Sequence, residues 1–392
     1  YDLIVRGGRV LDPASGLRGQ YDIAVQDGKI AAIRPSLDVR QARRVVQVTG
    51  KLVTPGLIDA HTHVYAGVMR GGVDPDLAGV RAGVTTVVDA GSAGSHTVLG
   101  LQSLVLPRAR TRVVPLLNIA RTGLAFMPEA RGREDIDLEA TLRAVEESRG
   151  GIRGIKVRAI GPAAASLGLD LVRLAQRAAR ETGGLLMVHI GDTETPGNPP
   201  LTPGLLPLLE PGDMVSHVFT SHPGGILDAA GRLLPEARDA YERGVLFDNA
   251  HGLRNFSFAV AQRLLDQGVV PHTISTDLAA PSRANGPVFS LTETMSKCLA
   301  LGFSLEDVVR MTTANPARYI RLDDVLGRLQ EGYEADLSVL DVVTGQWEFT
   351  DSVGARLTGD KAIVPVLTIK GGEVVSVDWG PHPWGWLPSQ GV

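Results

Sequence analysis

The sequence lacks the residues and segments on which several classes of protein depend. Its 392 residues include one cysteine, Cys298, so no internal disulfide can form and a reducing compartment is expected. The apolar neighbours of Cys298 predict a small buried side chain rather than a reactive thiol. No stretch approaches the ~18 uninterrupted apolar residues of a membrane span, and the first residues are strand-like rather than a charged and then apolar leader. These absences predict a cytoplasmic protein with no membrane partner.

The chain also lacks an excess of charge of either sign. Its 39 basic and 43 acidic residues give a formal net charge of -4 and are scattered, so no basic face is expected on which nucleic acid would collect. Hydrophobic residues make up 44% and charged residues 21%, which is ordinary for a globular protein and argues against a disordered or fibrous one. The expected partner is a small-molecule substrate, and a homo-oligomer is left open.

Short strand-like runs and turns dominate both ends of the chain. Residues 1–53 alternate apolar runs with turns such as Gly7-Gly8 and Asp27-Gly28, and residues 322–392 repeat this style. We predict that the two ends join in one small β-sandwich domain. Residues 54–321 are then a second and larger domain.

Between these ends, strand-like apolar runs alternate with helix-like segments, which is the pattern of a parallel sheet built from βα units. Residues 170–182 show helical spacing of apolar positions, and Ser304 with Asp307 forms a capping-box pattern. The predicted α/β fold is a (β/α)₈ TIM barrel, in which the chemistry lies at the C-terminal ends of the strands. Its eight strands are predicted at residues 57–63, 85–91, 113–120, 154–160, 185–192, 214–220, 245–250 and 272–277.

Two histidines end the first predicted strand. His61 and His63 lie two residues apart, so the alternation of a strand points both imidazoles to the same side, where they can bind one metal ion. An isolated pair with this spacing occurs often by chance. Its position at the catalytic end of a barrel strand favours a metal site.

Lys156 lies in the fourth predicted strand, where its side chain is expected to face the barrel axis. A lone buried ammonium is unfavourable, so either a carboxylate neutralises it or burial lowers its pKa until the neutral amine can react. Such an amine can capture carbon dioxide as a carbamate, whose oxygens could bridge two metal ions. Both interpretations stay open at this point.

Three further strands end on polar residues of the same kind. His189 ends strand five, His217 ends strand six and Asp277 ends strand eight. The two histidines suit a second metal ion, and the carboxylate of Asp277 can bind a metal and exchange a proton with bound water. Each position alone is weak evidence, but their order along the strands predicts a metal site rather than a purely structural role.

Several specific motifs resemble those of the amidohydrolase superfamily over essentially the whole chain. They include P-G-L-I-D-A-H-T-H at 55–63, S-T-D at 275–277, T-A-N-P-A at 313–317 and G-R-L-Q-E-G-Y-E-A-D-L at 327–337. The segments H-T-H-V-Y, G-I-K-V-R-A, V-H-I-G and H-G-L-R-N-F-S-F look like the dihydroorotase-like or deacetylase subgroup. The resemblance implies two divalent metal ions, zinc, bridged by carboxylated Lys156. It implies His61, His63 and Asp277 on one metal, and His189 and His217 on the other.

The substrate-binding residues are less well defined by the sequence. True dihydroorotases carry an arginine shortly after the histidine pair, whereas Val64 and Tyr65 follow here. Arg158 is two residues beyond Lys156 and is expected to point inward, where it binds a substrate carboxylate or forms an ion pair at the rim. Three further candidates lie near strand ends and could donate hydrogen bonds to a substrate: Tyr65, Asn118 and His251.

The leading hypothesis is hydrolysis of an ester or amide bond in a small acylated carboxylate, such as an acetylated α-hydroxy or amino acid. A metal-bridging hydroxide would attack the carbonyl while Asp277 moves the proton. The alternative is ring opening of a cyclic amide, as in dihydroorotases and hydantoinases. An inactive scaffold would be expected to have lost metal ligands, and a base deaminase would need a ligand set without Lys156.

Overall fold

The computed structural model describes residues 1–195 and 197–391, and its strands form two β-sheets. The strands are β1 (Leu3–Asp12), β2 (Leu17–Gln26), β3 (Lys29–Arg34), β4 (Arg44–Gln47), β5 (Leu52–Pro55), β6 (Leu57–Thr62), β7 (Val84–Gly94), β8 (Arg112–Asn118), β9 (Gly154–Arg158), β10 (Leu185–His189), β11 (Met214–Ser216), β12 (Leu246–Asp248), β13 (Leu337–Thr350), β14 (Arg356–Lys370), β15 (Glu373–Ser376) and β16 (Ser389–Gln390).

Helices connect many of these strands. In the described part of the chain the α-helices are α1 (Pro75–Ala78), α2 (Val98–Gly100), α3 (Leu138–Glu147), α4 (Gly161–Leu167), α5 (Leu169–Glu181), α6 (Thr202–Leu205), α7 (Pro235–Arg243), α8 (Phe258–Asp266), α9 (Ala280–Asn285), α10 (Leu291–Ala300), α11 (Leu305–Thr312) and α12 (Ala314–Tyr319). Among the described residues, no helix combines the length and the apolar character needed to span a bilayer.

The larger domain is built on a parallel sheet in which chain order equals sheet order. Strands β6 to β12 pair with their sequence neighbours, all in parallel. Parallel neighbours need a crossover between them, which is why helical segments separate these strands. Every residue of β7 and β10 is buried, as expected for strands covered on both faces. The predicted α/β arrangement is confirmed for these seven strands.

The eighth predicted strand, residues 272–277, is not a regular strand. This segment forms isolated parallel bridges to both edges of the sheet, from Thr273 to Asp248 of β12 and from Leu278 to Thr62 of β6. The structure therefore has isolated bridges here in place of a regular strand, although the segment lies between the two edge strands, and closure of the barrel stays a prediction.

Side chains explain why this segment is irregular. The backbone amide of Ser275 donates to Asn249 Oδ1 at 2.8 Å, and that of Thr276 donates to Asp59 Oδ1 at 3.0 Å. These amides are therefore not available for a regular ladder. Asp277 also adopts a left-handed backbone with φ of +49°, which interrupts extended structure.

Two helical predictions agree with the structure. Helix α5 buries Leu171, Val172 and Ala175 at helical spacing and ends within a residue of the predicted limit. Helix α11 begins after Ser304, whose side chain accepts a hydrogen bond from the Asp307 amide at 3.1 Å. Cys298 of α10 is buried, as predicted.

Both chain ends contribute to the second sheet. Strands β1 to β5 and β13 to β16 form one mixed sheet of nine strands, and the antiparallel pairing of β5 with β13 joins the two ends. The prediction that the ends share one β-structure is confirmed. The strands nevertheless form one continuous hydrogen-bonded sheet, rather than the two separate sheets of the predicted sandwich. The domain limits at residues 53/54 and 321/322 stay a prediction.

Ser338 of β13 links this mixed sheet to the parallel one. Its hydroxyl accepts a hydrogen bond from the Leu57 amide at 2.9 Å and donates one to the Gly83 carbonyl at 2.7 Å. Leu57 begins β6 and Gly83 directly precedes β7. One fully buried hydroxyl therefore holds the starts of two parallel strands against the second sheet.

We expect Ser338→Ala to lower the free energy of unfolding by about 1–3 kcal/mol, because it leaves the Leu57 amide and the Gly83 carbonyl buried without a partner. Urea denaturation of the purified variant measures this loss. Ser36→Ala is the control, since that side chain is exposed. Equal stability of the two variants would contradict the proposed linkage.

Candidate metal centre

The predicted metal ligands converge at the C-terminal ends of the parallel strands. They come from β6, β9 and β10, from the residues that directly follow β6 and β11, and from the segment between β12 and β6. Five of them line a cavity of about 310 Å³. The full set is His61, His63, Lys156, His189, His217 and Asp277.

Short distances connect these side chains. Asp277 Oδ1 lies 2.9 Å from His63 Nε2 and 3.5 Å from His61 Nε2. The ring centroids of His189 and His217 are 4.2 Å apart. One ligand atom each from His61, His217 and Asp277 lie within 4.8 Å of one another, so these three can hold a metal ion.

Several buried nitrogens of this cluster have no hydrogen-bond partner: His61 Nδ1, His189 Nε2 and His217 Nε2. An unsatisfied buried polar atom costs roughly 1–3 kcal/mol, so such a group needs a physical explanation. Burial lowers the pKa of all three rings, that of His217 to about 3, so the imidazoles are neutral. A neutral imidazole is the form that binds a metal, and the donor set therefore fits a divalent cation.

Lys156 is buried without a carboxylate at ion-pair distance among the described residues. Its Nζ lies 3.1 Å from His61 Nε2 and 3.2 Å from Met187 Sδ. Burial lowers the pKa of Lys156 to about 7, which leaves a substantial fraction as the neutral amine. Of the two interpretations of Lys156, neutralisation by a paired carboxylate does not occur in the described structure. The interpretation that remains is a lysine whose pKa is lowered by burial.

A glycine provides the space for the lysine stem. Gly91 has φ of +82°, and a Cβ at this position would lie 2.7 Å from Lys156 Cβ. Any larger residue would displace Lys156 and strain the backbone. Asn118 donates a hydrogen bond to the Gly91 carbonyl at 3.1 Å, which holds this close approach in place.

Two of the candidate ligands have a left-handed backbone. The φ angles of His217 and Asp277 are +72° and +49°, conformations that cost roughly 1–3 kcal/mol in residues other than glycine and that cluster at functional sites. His217 Nδ1 donates to the Ala250 carbonyl at 2.7 Å, which directs Nε2 toward the cluster. Although burial opposes ionisation, His61 and His63 hold the pKa of Asp277 well below its ordinary value.

Sequence reasoning missed three buried aspartates behind the cluster. Asp89 accepts a hydrogen bond from the Ser92 amide at 2.8 Å, and the Ser92 hydroxyl lies 3.0 Å from His63 Nδ1. Burial raises the pKa of Asp59 to about 7 and that of Asp248 to about 6. The sequence did offer a signal for these residues, namely a carboxylate within an otherwise apolar strand. Asp59 also lies two residues before His61, so strand alternation places it on the same side as the histidine pair.

Arg158 lines the cavity but already has two anionic partners. Its guanidinium donates to Glu129 at 2.7 Å and also to Glu194. Although burial works in the other direction, these carboxylates raise the pKa of Arg158 above its ordinary value. Of the two roles expected for Arg158, the ion pair is therefore present. The other role, binding of a substrate carboxylate, stays a prediction. Both glutamates lie outside regular secondary structure, where no sequence pattern indicated them.

The other three substrate-binding candidates are engaged within the protein. The Tyr65 hydroxyl donates to the Thr97 carbonyl at 2.6 Å, and Asn118 Oδ1 accepts from the Ala120 amide at 2.9 Å. His251 Nδ1 lies 2.9 Å from the carbonyl oxygen of the next residue. None of the three is among the described residues that line the cavity, and their substrate role stays a prediction.

Loop residues that the sequence analysis did not identify form the walls of the cavity. They combine arginines with apolar side chains, namely Met69, Arg70, Leu124, Met127, Leu253 and Arg254. Such a lining suits a ligand that carries both a negative charge and an apolar group.

Comparison with known proteins shows clear similarity. Residues 232–375 match the Amidohydrolase family. A deacetylase of Agrobacterium fabrum is 35% identical over 353 residues, which cover 89% of this chain and 85% of that protein. A crystal structure described as an adenine deaminase superposes with a TM-score of 0.88 at 31% identity and covers 96% of this chain and 100% of its own. A crystal structure described as a dihydroorotase superposes with a TM-score of 0.86 at 32% identity. The match covers 96% of this chain and 99% of that one.

We expect Lys156→Ala to lose most of the bound divalent metal, because it removes a proposed ligand whose Nζ lies 3.1 Å from His61 Nε2 in the metal-binding cluster. Elemental analysis of the purified protein measures this loss. Added propionate should restore part of the metal by supplying a carboxylate in the vacated space. Lys361→Ala is the control, since the side chain of that lysine is half exposed and lies outside the cavity lining. Full metal content in Lys156→Ala would exclude a ligand role.

Proposed function

This chain belongs to the amidohydrolase family, and we propose that it cleaves an ester or amide bond in a small acylated carboxylate. The observation that carries the proposal is the environment of Lys156, which is buried beside His61 with no carboxylate partner among the described residues. Relatives named deacetylase are 31% and 35% identical to this chain, which supports acyl-group removal. The family match and these relatives make it a hydrolase that acts on C–N bonds.

We also propose that the parallel sheet closes into an eight-stranded barrel through residues 272–278. On one side, the Gly252 amide donates to the Thr276 carbonyl at 2.8 Å. On the other, the Asp277 amide donates to the His61 carbonyl at 2.7 Å. Backbone bonds to both edges support closure, which would bring all the candidate ligands around one axis.

Members of the family typically use divalent metals, and the donor set here suits a zinc pair. We propose that His61, His63 and Asp277 would hold one ion, that His189 and His217 would hold the other, and that carboxylated Lys156 would supply a ligand to both. When bound, such ions polarise a carbonyl and lower the pKa of water. The carbamate forms when the neutral Lys156 amine adds to carbon dioxide and releases one proton.

Asp277 is the proposed acid and base. Its neighbouring imidazoles keep the carboxylate ionised at neutral pH, which is the state that accepts a proton. It would take the proton from the attacking water and deliver it to the leaving nitrogen or oxygen. No nucleophilic side chain is required for this reaction.

The charge of the cavity supports an anionic substrate. Arg70 and Arg254 line the cavity and form no ion pair with any described residue, whereas the guanidinium of Arg158 is already paired with Glu129 and Glu194. The apolar side chains of Met127 and Leu253 extend the same walls. A small carboxylate with an apolar group matches this surface.

Ring opening of a cyclic amide is the second candidate, and the similarity to a structure described as a dihydroorotase favours it. Assays of the metal-loaded protein with a panel of substrates separate the candidate functions. The panel contains acylated α-hydroxy and amino acids, dihydroorotate, hydantoins and adenine. Turnover of acylated carboxylates well above the other compounds supports the proposal. Preference for a cyclic amide or for adenine would replace it.

We expect Asp277→Asn to retain much of its metal yet to lower turnover by at least ~10²-fold, the effect of losing a positioned general base. Steady-state kinetics and metal analysis of the same preparation measure both quantities. Asp360→Asn is the matched control, since its carboxylate is 80% exposed. Near-normal turnover in Asp277→Asn would refute the proton-transfer role.

If Arg158 binds the substrate carboxylate in addition to Glu129 and Glu194, we expect Arg158→Met to impair hydrolysis of carboxylate substrates by on the order of 2–5 kcal/mol in transition-state free energy, the cost of losing a desolvated ion pair. Neutral ester analogues should lose much less. Since this change also leaves Glu129 and Glu194 unpaired, the triple variant Arg158→Met/Glu129→Gln/Glu194→Gln removes their repulsion of an anion. Equal losses for charged and neutral substrates in the triple variant would assign Arg158 to the structure of the cavity wall alone.

A further inference from the structure

Lys297 of α10 is a second buried lysine, and it lies outside the cavity lining. Its Nζ lies 3.0 Å from His251 Nε2 and 2.5 Å from the Pro287 carbonyl oxygen, and 4.0 Å from Glu293 Oε1. An ammonium group can only donate hydrogen bonds, so His251 Nε2 must be the acceptor. The lysine therefore determines which tautomer His251 adopts.

That tautomer gives His251 a defined second contact. With Nε2 accepting, Nδ1 carries the hydrogen and donates to the Gly252 carbonyl at 2.9 Å. Burial holds the pKa of His251 well below its ordinary value, which favours this neutral form. The ring also stacks on Phe256, with centroids 4.3 Å apart and an interplanar angle of 5°. The imidazole is thus held on its face and at both nitrogens.

Gly252 in turn packs against the proposed acid and base. It has φ of +58°, and a Cβ at this position would lie 2.5 Å from Asp277 Oδ2. The other carboxylate oxygen, Oδ1, is the one that contacts His61 and His63. The backbone at Gly252 therefore forms the wall behind the carboxylate, opposite the histidine pair.

A turn of the mixed sheet supports the same carbonyl from another direction. Ser352, between β13 and β14, donates a hydrogen bond from its hydroxyl to the Gly252 carbonyl at 3.0 Å. The neighbouring Asp351 accepts from the Phe258 amide at 2.9 Å, which fixes this turn to the start of α8. The Gly252 carbonyl is thus bound by two side chains that are remote from each other in the sequence.

We propose that Lys297 and His251 are positioning residues for Asp277: the pair holds the backbone at Gly252 against the carboxylate and so sets its orientation. The proposal rests on the proposed function only in taking Asp277 as the acid and base. Neither Lys297 nor His251 needs to touch the substrate in this role. Their loss should therefore reduce turnover rather than substrate binding.

The double variant His251→Phe/Lys297→Met tests this role while limiting damage to the fold. It replaces the paired His251 and Lys297 with apolar groups of similar shape and retains an aromatic ring to stack on Phe256. The Pro287 carbonyl loses its lysine donor, so urea denaturation of the variant measures any loss of stability. We expect kcat to fall by about 10-fold or more, in the range typical of groups that orient a ligand, with KM and metal content essentially unchanged. Ser338→Ala is the control, which should lose stability without losing turnover.

Cobalt substitution provides a readout that does not depend on activity. If Asp277 is reoriented, the visible absorption of the Co²⁺-loaded double variant should differ from that of the Co²⁺-loaded parent protein. Unchanged kcat together with an unchanged spectrum would overturn the proposal, as would a fall in kcat that Ser338→Ala reproduces. If the parent protein hydrolyses none of the panel, the proposed function fails, and the cobalt spectra still decide the positioning role.

Discussion

The burial of Lys156 among histidines is the constraint on which the rest of the site depends. An ammonium in this position has no carboxylate at ion-pair distance among the described residues, and its nearest polar neighbour is the ring nitrogen of His61. Burial therefore shifts Lys156 toward the neutral amine, while the same burial keeps the surrounding imidazoles neutral. The Lys156 amine can donate a hydrogen bond to His61 Nε2. His189 Nε2 and His217 Nε2, however, have no partner among the described residues, an arrangement that a bound cation would stabilise.

Close backbone approaches maintain this arrangement. Gly91 lies against the stem of Lys156, and Gly252 lies against the carboxylate of Asp277. Each glycine carbonyl is held by a side chain, Asn118 in the first case and His251 in the second. Asn118 and His251, which the sequence suggested as substrate-binding residues, thus hold the backbone against which Lys156 and Asp277 pack. Buried polar side chains near a site can serve its geometry without contacting its ligand.

Similar folds do not by themselves select a substrate for this chain. Relatives and solved structures at 31–35% identity are described as a deacetylase, an adenine deaminase and a dihydroorotase. Loop side chains, among them Arg70, Met127 and Arg254, line the cavity of this chain. Loops vary in conformation with little effect on the sheet beneath them, so specificity can change while the fold persists.

Local sequence patterns determined much of the architecture. Alternation predicted that His61 and His63 share a face, helical spacing predicted α5, and apolar runs predicted the parallel strands. These features could be predicted because each depends on neighbours a few residues apart, where backbone geometry sets which side chains meet. The motifs also indicated the family, since they span the chain and combine specific residues at strand ends.

Tertiary structure alone decided the features that depend on residues far apart in the chain. The eighth segment is irregular because Asp59, some 217 positions away, binds the Thr276 amide. Arg158 forms ion pairs with two loop glutamates, and Lys297 contacts His251 across 46 positions. No periodic pattern encodes such contacts, because a hydrogen bond or an ion pair depends on distance in space, which the packing of the whole chain determines.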